Sequence, residues 1–281
     1  MKIGFIDYYL DEYHANHYPA WLRESSGENI EILAWAETGS PFPGGLTTGE
    51  WCEKYGVRQL ESIREVCVAA DSIIILAPDD PDRHMAYAQE VFPFGKPVFV
   101  DKTFAVDAGE ARRIIALGER LGTPFFSSSS LRFAPEFAHF AGVAESVDAF
   151  GSGDRFDIEL IHPIEICAHL MGRGAAKIMS NGDREHFVAM LGYRDGRMAS
   201  INFTLNCQGL GYSALVIPGK GGRGGVYAAK EHFFKAMIRA MLDFFRDPED
   251  PPVSHADTLE GMIIRDGALK SLSRPGKWVE L

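Results

Sequence analysis

The pattern of apolar and polar positions changes character near the middle of the chain. In the first half, short apolar runs alternate with stretches of helical spacing. Met1–Ile6 predicts a strand, Ala20–Glu24 and its neighbours a helix, and Ile30–Ala36 a second strand ending at Glu37. Thr38 to Gly49, rich in Gly, Pro and Thr, predicts a loop. Gly49–Tyr55 and Ser62–Ala69 predict helices. Ser72–Leu76 is a continuous apolar run, as a strand buried on both faces of a parallel sheet requires. Asp79-Asp80-Pro81 predicts the start of the next helix, with Asp as cap and Pro near the first turn. Val98–Val100 is a short buried strand. Val106 to Leu121, with Ala111, Ile114, Ile115, Leu117 and Leu121 at helical spacing and an acidic first turn, predicts the helix after it. Thr123–Ser127 is a further strand, running into Ser127–Ser130. Such β–α alternation predicts a doubly wound parallel sheet.

After about Pro124 the rhythm is different. Arg155–Glu159 predicts a strand and Pro163–Met171 a helix. Phe187–Tyr193, Met198–Thr204 and Ala214–Ile217 predict strands, with hairpin signals at Asp195-Gly196 and Gly219–Gly225. Phe233–Phe245, with an apolar stripe, and Asp257–Leu272 predict helices. The expected architecture is therefore α/β: a Rossmann-type doubly wound parallel sheet over residues 1–122, then an α+β domain with a mainly antiparallel sheet over 123–281. No internal repeat or low-complexity segment interrupts it.

Composition narrows the function classes. A chain of 281 residues has room for two domains of ordinary size. Its formal net charge of −11 argues against a nucleic-acid or anionic-membrane partner, since both require a basic surface. Cys52, Cys67, Cys167 and Cys207 form no CxxC pair and read as free buried thiols of a reducing compartment. With no signal peptide and no membrane-length apolar run, the expected location is cytoplasmic.

Candidate chemistry gathers at the end of the Val98–Val100 strand. The carboxyl ends of strands face the ligand crevice in an open parallel sheet. Asp101-Lys102 therefore presents a carboxylate and an amine from a rigid support. The segment Gly95-Lys96-Pro97-Val98-Phe99-Val100-Asp101-Lys102-Thr103-Phe104-Ala105 resembles the "aGKhVlvEKPla" segment of the glucose–fructose oxidoreductase, inositol dehydrogenase and MocA (Gfo/Idh/MocA) family. Asp101 stands for the usual Glu and Thr103 for the usual Pro. Ala77-Pro78-Asp79-Asp80-Pro81-Asp82-Arg83-His84 resembles the family's "tPnxxH" segment, although by itself it also reads as a helix cap followed by an exposed His. Leu131-Arg132-Phe133-Ala134-Pro135 resembles "Rf.P". Asp157-Ile158-Glu159-Leu160-Ile161-His162-Pro163-Ile164-Glu165 resembles "DxGxHxxD", with His162 as the His and Glu165 for the Asp three residues on. Ile158 stands where an Asp is expected four residues before His162. Asp157 and Glu159 flank it, and a one-residue bulge would restore a carboxylate there.

The resemblance implies an NAD- or NADP-dependent oxidoreductase acting on a sugar or polyol hydroxyl. Lys102 and His162 are the implied catalytic residues, facing one cleft between the domains, with His162 as acid/base. Asp7, Glu37, Pro78, His84 and Asp101 fall at cofactor-contacting positions, and Arg132, Asp157, Glu159 and Glu165 at substrate-contacting ones. Arg132 reads equally as one half of a buried ion pair. His162, Glu165 and His169 share a helix face, a spacing compatible with zinc or manganese, but no metal is assigned. Gly219-Lys220-Gly221-Gly222-Arg223-Gly224-Gly225 lacks GxxxxGK[ST] and reads as a flexible hairpin loop.

The first loop departs from the family. A dinucleotide fold places G-x-G-x-x-G between its first strand and helix, whereas this chain reads Ile6-Asp7-Tyr8-Tyr9-Leu10-Asp11-Glu12-Tyr13-His14-Ala15-Asn16. Asp7, Tyr9 and Glu12 occupy the glycine positions, and the carboxylates of Asp7 and Glu12 would repel a pyrophosphate. NAD(H) and NADP(H) are accordingly expected to bind weakly. The alternative is a relative that has lost ordinary cofactor binding and acts as a metal-assisted lyase or hydrolase, with Asp7, Asp11, Glu12, His14 and His17 as donors, or as a sugar-binding protein. The expected partner is a small carbohydrate-like substrate. The open sheet of the second domain is expected to make the protein a homo-oligomer.

Overall fold

The structure is a computed structural model describing residues 1–207, 209–219, 221–230 and 232–281. Its contacts divide it into two compact units, Met1–Ser128 with Met237–His255, and Ser129–Ala236 with Ala256–Leu281. The sequence reading drew one boundary at 122/123. The chain instead continues in the first unit through a last strand and returns to it at residue 237, where Phe244 packs edge-on against Phe126 at 5.0 Å.

The first unit contains β1 (Lys2–Asp7), α1 (Tyr13–Ser26), β2 (Glu31–Ala36), α2 (Thr48–Tyr55), β3 (Arg58–Gln59), α3 (Ile63–Ala69), β4 (Ser72–Ile75), α4 (His84–Val91), β5 (Val98–Val100), α5 (Ala108–Leu121) and β6 (Phe125–Ser127). The strands are parallel and ordered β3-β2-β1-β4-β5-β6. Ile73, Ile74, Ile75, Val98, Phe99 and Val100 are wholly buried, as continuous apolar runs must be when helices cover both sheet faces. Local chemistry sets the helix ends. Thr47 and Glu50 form a reciprocal capping box on α2, Ser62 caps α3, and Asp107 accepts the Glu110 N–H at 2.7 Å to start α5. Strand order reverses between β1 and β4, so ligands of such a sheet collect at the carboxyl ends of these two strands. The α1 helix begins at Tyr13, well before the predicted Ala20. Pro19 inside it and a run of His and aromatic residues before it conceal the apolar stripe.

The second unit contains β7 (Ala144–Gly153), α6 (Phe156–Glu159), α7 (Ile161–Met171), β8 (Ala175–Gly182), β9 (His186–Tyr193), β10 (Met198–Leu205), β11 (Ser213–Pro218) and β12 (Gly225–Ala228). Next comes α8 (Phe233–Arg246), which crosses into the first unit. Almost all of α9 (His255–Leu272), together with β13 (Val279–Glu280), completes the second unit. The sheet order is β12-β11-β7-β10-β9-β8-β13, antiparallel throughout except for the β7–β10 pair. The two expected hairpins lie at Asp195-Gly196 and between Pro218 and Gly225; Lys220 of the latter lies outside the described residues.

One prediction is corrected here. Arg155–Glu159 is not a strand: Phe156–Glu159 is a turn of helix running into α7. Phe156, Ile158 and Leu160 are buried, which mimics strand alternation. Phe156 and Leu160 are also one helical turn apart, and burial of that face against Phe187 and Phe203 selects the helix. The bulge that would have restored a carboxylate before His162 does not exist. Cys52, Cys67 and Cys167 are buried free thiols, whereas Cys207 is exposed.

Candidate active site

In the first unit, the end of β5 delivers Asp101 and Lys102 to the ligand edge of the sheet. Asp101 is 1% exposed, and its Oδ1 accepts the Lys102 backbone N–H at 2.7 Å. The other oxygen is hydrogen-bonded to Nδ1 of His14, which lies in the first turn of α1. Burial pushes the Asp101 carboxyl up, but His14 and Lys102 outweigh it and hold the group below the usual carboxylate range. Lys102 is itself buried, and its Nζ donates to the Pro78 carbonyl at 3.4 Å. His84 is not the exposed side chain of a simple helix cap. It is wholly buried, with Nδ1 3.1 Å from the Phe104 carbonyl and Nε2 2.6 Å from the Leu76 carbonyl. Burial holds it below the ordinary histidine range against the pull of these two carbonyls. Its visible role is to tie the segments after β4 and β5 together.

The first loop uses its acidic residues internally. Glu12 is the N-cap of α1, with Oε2 accepting the His14 N–H at 2.7 Å and Oε1 the Ala15 N–H. Asp7, at the carboxyl end of β1, is 1% exposed. Its Oδ1 accepts from the backbone N–H groups of Tyr8 at 2.7 Å and Ala77 at 2.9 Å, while Oδ2 is buried without a hydrogen-bond partner. Burial raises both carboxyls, and mutual repulsion with Asp101 adds to it. Asp7 lies well above the usual range and Glu12 is lifted to about 7. Glu37, after β2, accepts from the Tyr87 hydroxyl at 2.8 Å and lies 3.3 Å from Arg83, whose guanidinium stacks on Tyr8. Asp11 accepts from the Leu46 N–H at 2.9 Å and from Asn16 at 3.2 Å, and His17 Nδ1 contacts the Tyr13 carbonyl at 2.6 Å. Among the described residues, no three His, Cys, Asp or Glu side chains are placed to hold a metal ion.

In the second unit, α7 carries His162, Glu165 and His169. His162 Nδ1 lies 2.8 Å from Oγ of Ser129, and its ring meets Tyr212 edge-on at 5.1 Å. Ser129 is buried and caps a short 3₁₀ turn, accepting from the Leu131 N–H at 3.3 Å. Arg132, on that turn, forms an ion pair with Glu165 through Nε at 2.8 Å. Both side chains are nearly inaccessible, and the partner is Glu165 rather than an Asp. Asp157 is exposed and paired with Arg184, and Glu159 accepts the Arg155 N–H at 2.9 Å. His169 is held down to about 4 by burial and by Arg132. Sequence reasoning missed Ser129, the bond of His14 to Asp101 and the capping role of Glu12. The last depends on a backbone turn that spacing does not specify, and the others act on partners 33 and 87 positions away.

No protein-family profile matches the chain, and no curated protein matches it. Solved structures do. It is similar to a myo-inositol dehydrogenase from Corynebacterium glutamicum at 14% identity and a TM-score of 0.80, covering 100% of this chain and 98% of that one. The WlbA dehydrogenase from Bordetella pertussis, in complex with NADH and UDP-GlcNAcA, matches at 16% identity and 0.73, covering 99% and 98%. GenD2 from gentamicin A biosynthesis, in complex with NAD, matches at 15% identity and 0.77, covering 100% and 96%. The chain therefore has the fold of the Gfo/Idh/MocA-type dehydrogenases, as its motifs implied. At such identities the likeness establishes the fold, and the chemistry must be argued from this chain's own residues.

Proposed function

We propose that the protein is an oxidoreductase acting on a hydroxyl group of a sugar or polyol, with Lys102 and His162 as its catalytic residues. The observation that carries this reading is a buried lysine at the carboxyl end of β5, in a chain matched over its whole length by inositol and sugar-nucleotide dehydrogenases. In the tautomer that donates Nδ1–H to Ser129 Oγ, His162 Nε2 bears the lone pair that takes the substrate hydroxyl proton. Lys102 donates to the same oxygen as negative charge develops on it, and burial strengthens that interaction. Ser129 orients the histidine through its bond to Nδ1.

The nicotinamide dinucleotide that the fold implies does not fit the first loop as it stands. Two amides of the α1 N-terminus are bonded to Glu12, and a buried carboxylate without full hydrogen bonding ends β1. This chain's residues supply proton removal and oxyanion stabilisation on the substrate side, and the hydride leaving the same carbon would need NAD or NADP, bound weakly from millimolar solution, as its acceptor. The test is turnover of a panel of cyclic polyols, aldoses and uronic acids with millimolar NAD or NADP. Oxidation of one class above the others supports the reading. Binding of a sugar without oxidation under any of these conditions would contradict it.

A further inference from the structure

We infer that Glu12 is a built-in occupant of the anion position at the N-terminus of α1, so that the chain's own carboxylate sits where a dinucleotide would place its pyrophosphate. The helix that follows the first strand of a dinucleotide fold binds pyrophosphate through its exposed first-turn amides and its dipole. Here the His14 and Ala15 amides point at Glu12 Oε2 and Oε1, and the α1 dipole stabilises that carboxylate instead of a ligand. Glu12 is 8% exposed, so it is a packed part of the turn and not a surface residue that folded over.

Two independent features point the same way. Asp7 ends β1 at the point where strand order reverses, and it is buried with Oδ2 unpartnered. Its other oxygen consumes the amides of Tyr8 and Ala77. An incoming phosphate would meet a buried carboxyl oxygen there that makes no hydrogen bond. At the end of β2, where a dinucleotide's ribose seeks a free carboxylate, Glu37 is already bonded to Tyr87 and paired with Arg83. Three groups that would contact one dinucleotide are thus engaged or buried within the chain. Loss of the glycines did not leave an open cradle; side chains took over the bonds.

The inference concerns the cofactor side of the proposed oxidoreductase but does not require that reading to hold, because its test needs no substrate. NADH, NADPH and inorganic pyrophosphate would be titrated calorimetrically into the wild-type protein and into Glu12→Gly, Glu12→Gln and Asp7→Gly/Glu12→Gly variants. Thermal shifts with pyrophosphate would be recorded alongside. Glycine is a tolerated N-cap, and glutamine keeps an acceptor without the charge. The wild-type protein should bind all three probes with Kd of about 1 mM or weaker. The Glu12 variants should bind NADH at least about tenfold more tightly, or 1.4 kcal/mol. Pyrophosphate should raise the melting temperature of the Glu12→Gly variant and not that of the wild type. Micromolar binding of NADH by the wild-type protein would overturn the inference even if no variant folded. Folded Glu12 variants with no gain for either probe would overturn it as well. Weak binding with turnover at millimolar cofactor sustains both proposals. Weak binding without turnover sustains this one and removes the other.

Discussion

The Arg132–Glu165 pair shows how much one residue's neighbourhood decides. Both side chains are almost withdrawn from water, and Nε to Oε2 is 2.8 Å. Removing one partner from such a pair strands the other charge, at a typical cost of about 3–5 kcal/mol. Glu165→Ala should therefore lower the urea midpoint strongly, whereas Arg132→Met/Glu165→Leu together should restore most of the loss. If Glu165→Ala were as stable as wild type, the pair would have no structural role. Glu12 supplies a second prediction at this scale. Its folded carboxyl is raised to about 7, chiefly by burial and further by Asp101, against the lowering influence of His14 and two amides. A raised acid contributes stability that is fully present below its unfolded value, about 4.5, and lost as pH rises to about 7. His84 and His169, held below their usual range, act oppositely on acidification, so the comparison must be with Glu12→Gln. The stability of wild type relative to that variant should fall between pH 4.5 and 7 and level off above it. A constant difference across this range, measured by denaturant unfolding, would contradict the assignment. From sequence, Glu12 was legible as a misfit in a glycine loop. That its carboxylate caps α1 depends on the backbone turn, which no spacing rule specifies.

At the scale of elements, legibility followed burial. β4 and β5, apolar and covered on both faces, and α5, with a clear stripe and an Asp107 cap, were read directly. β7 and β8 were not. Ala144–Gly153 and Ala175–Gly182 mix small and polar residues, and half-buried strands of that kind carry little periodic signal. The α6 turn was misread because apolar residues two apart also include a pair four apart. Packing between elements adds constraints that composition hides. Gly118 on α5 faces β6 so closely that a Cβ there would lie 2.3 Å from Cε1 of Phe125, a ring that stacks on His255 and meets Phe92 at a tilt. Gly118→Ala should cost about 1–3 kcal/mol through overpacking and leave substrate turnover per folded molecule unchanged. An unaltered unfolding midpoint would mean that α5 can shift away from the sheet freely.

At the scale of the whole molecule, the second sheet presents an incompletely covered face. Cross-strand register puts Met190, Ser200, Asp148, Leu215 and Val226 in one row, and Met190 and Val226 are exposed by 43% and 70%. Val188 and Ile217 extend the same face. Apolar residues gathered this way favour contact with a second copy over contact with water, and we propose that the protein assembles as a homo-oligomer through this sheet. Light scattering at micromolar concentration should give at least twice the 31.0 kDa chain mass, and a monomer would contradict it. The central claim, however, is that the chain oxidises a hydroxyl with Lys102 and His162. It is tested most directly by measuring turnover of the best substrate from the polyol and sugar panel in the wild type, Lys102→Met and His162→Ala, with circular dichroism confirming the fold of each. The account predicts that both variants lose about 10²–10⁴-fold in rate while remaining folded. A wild-type rate in either folded variant would contradict it.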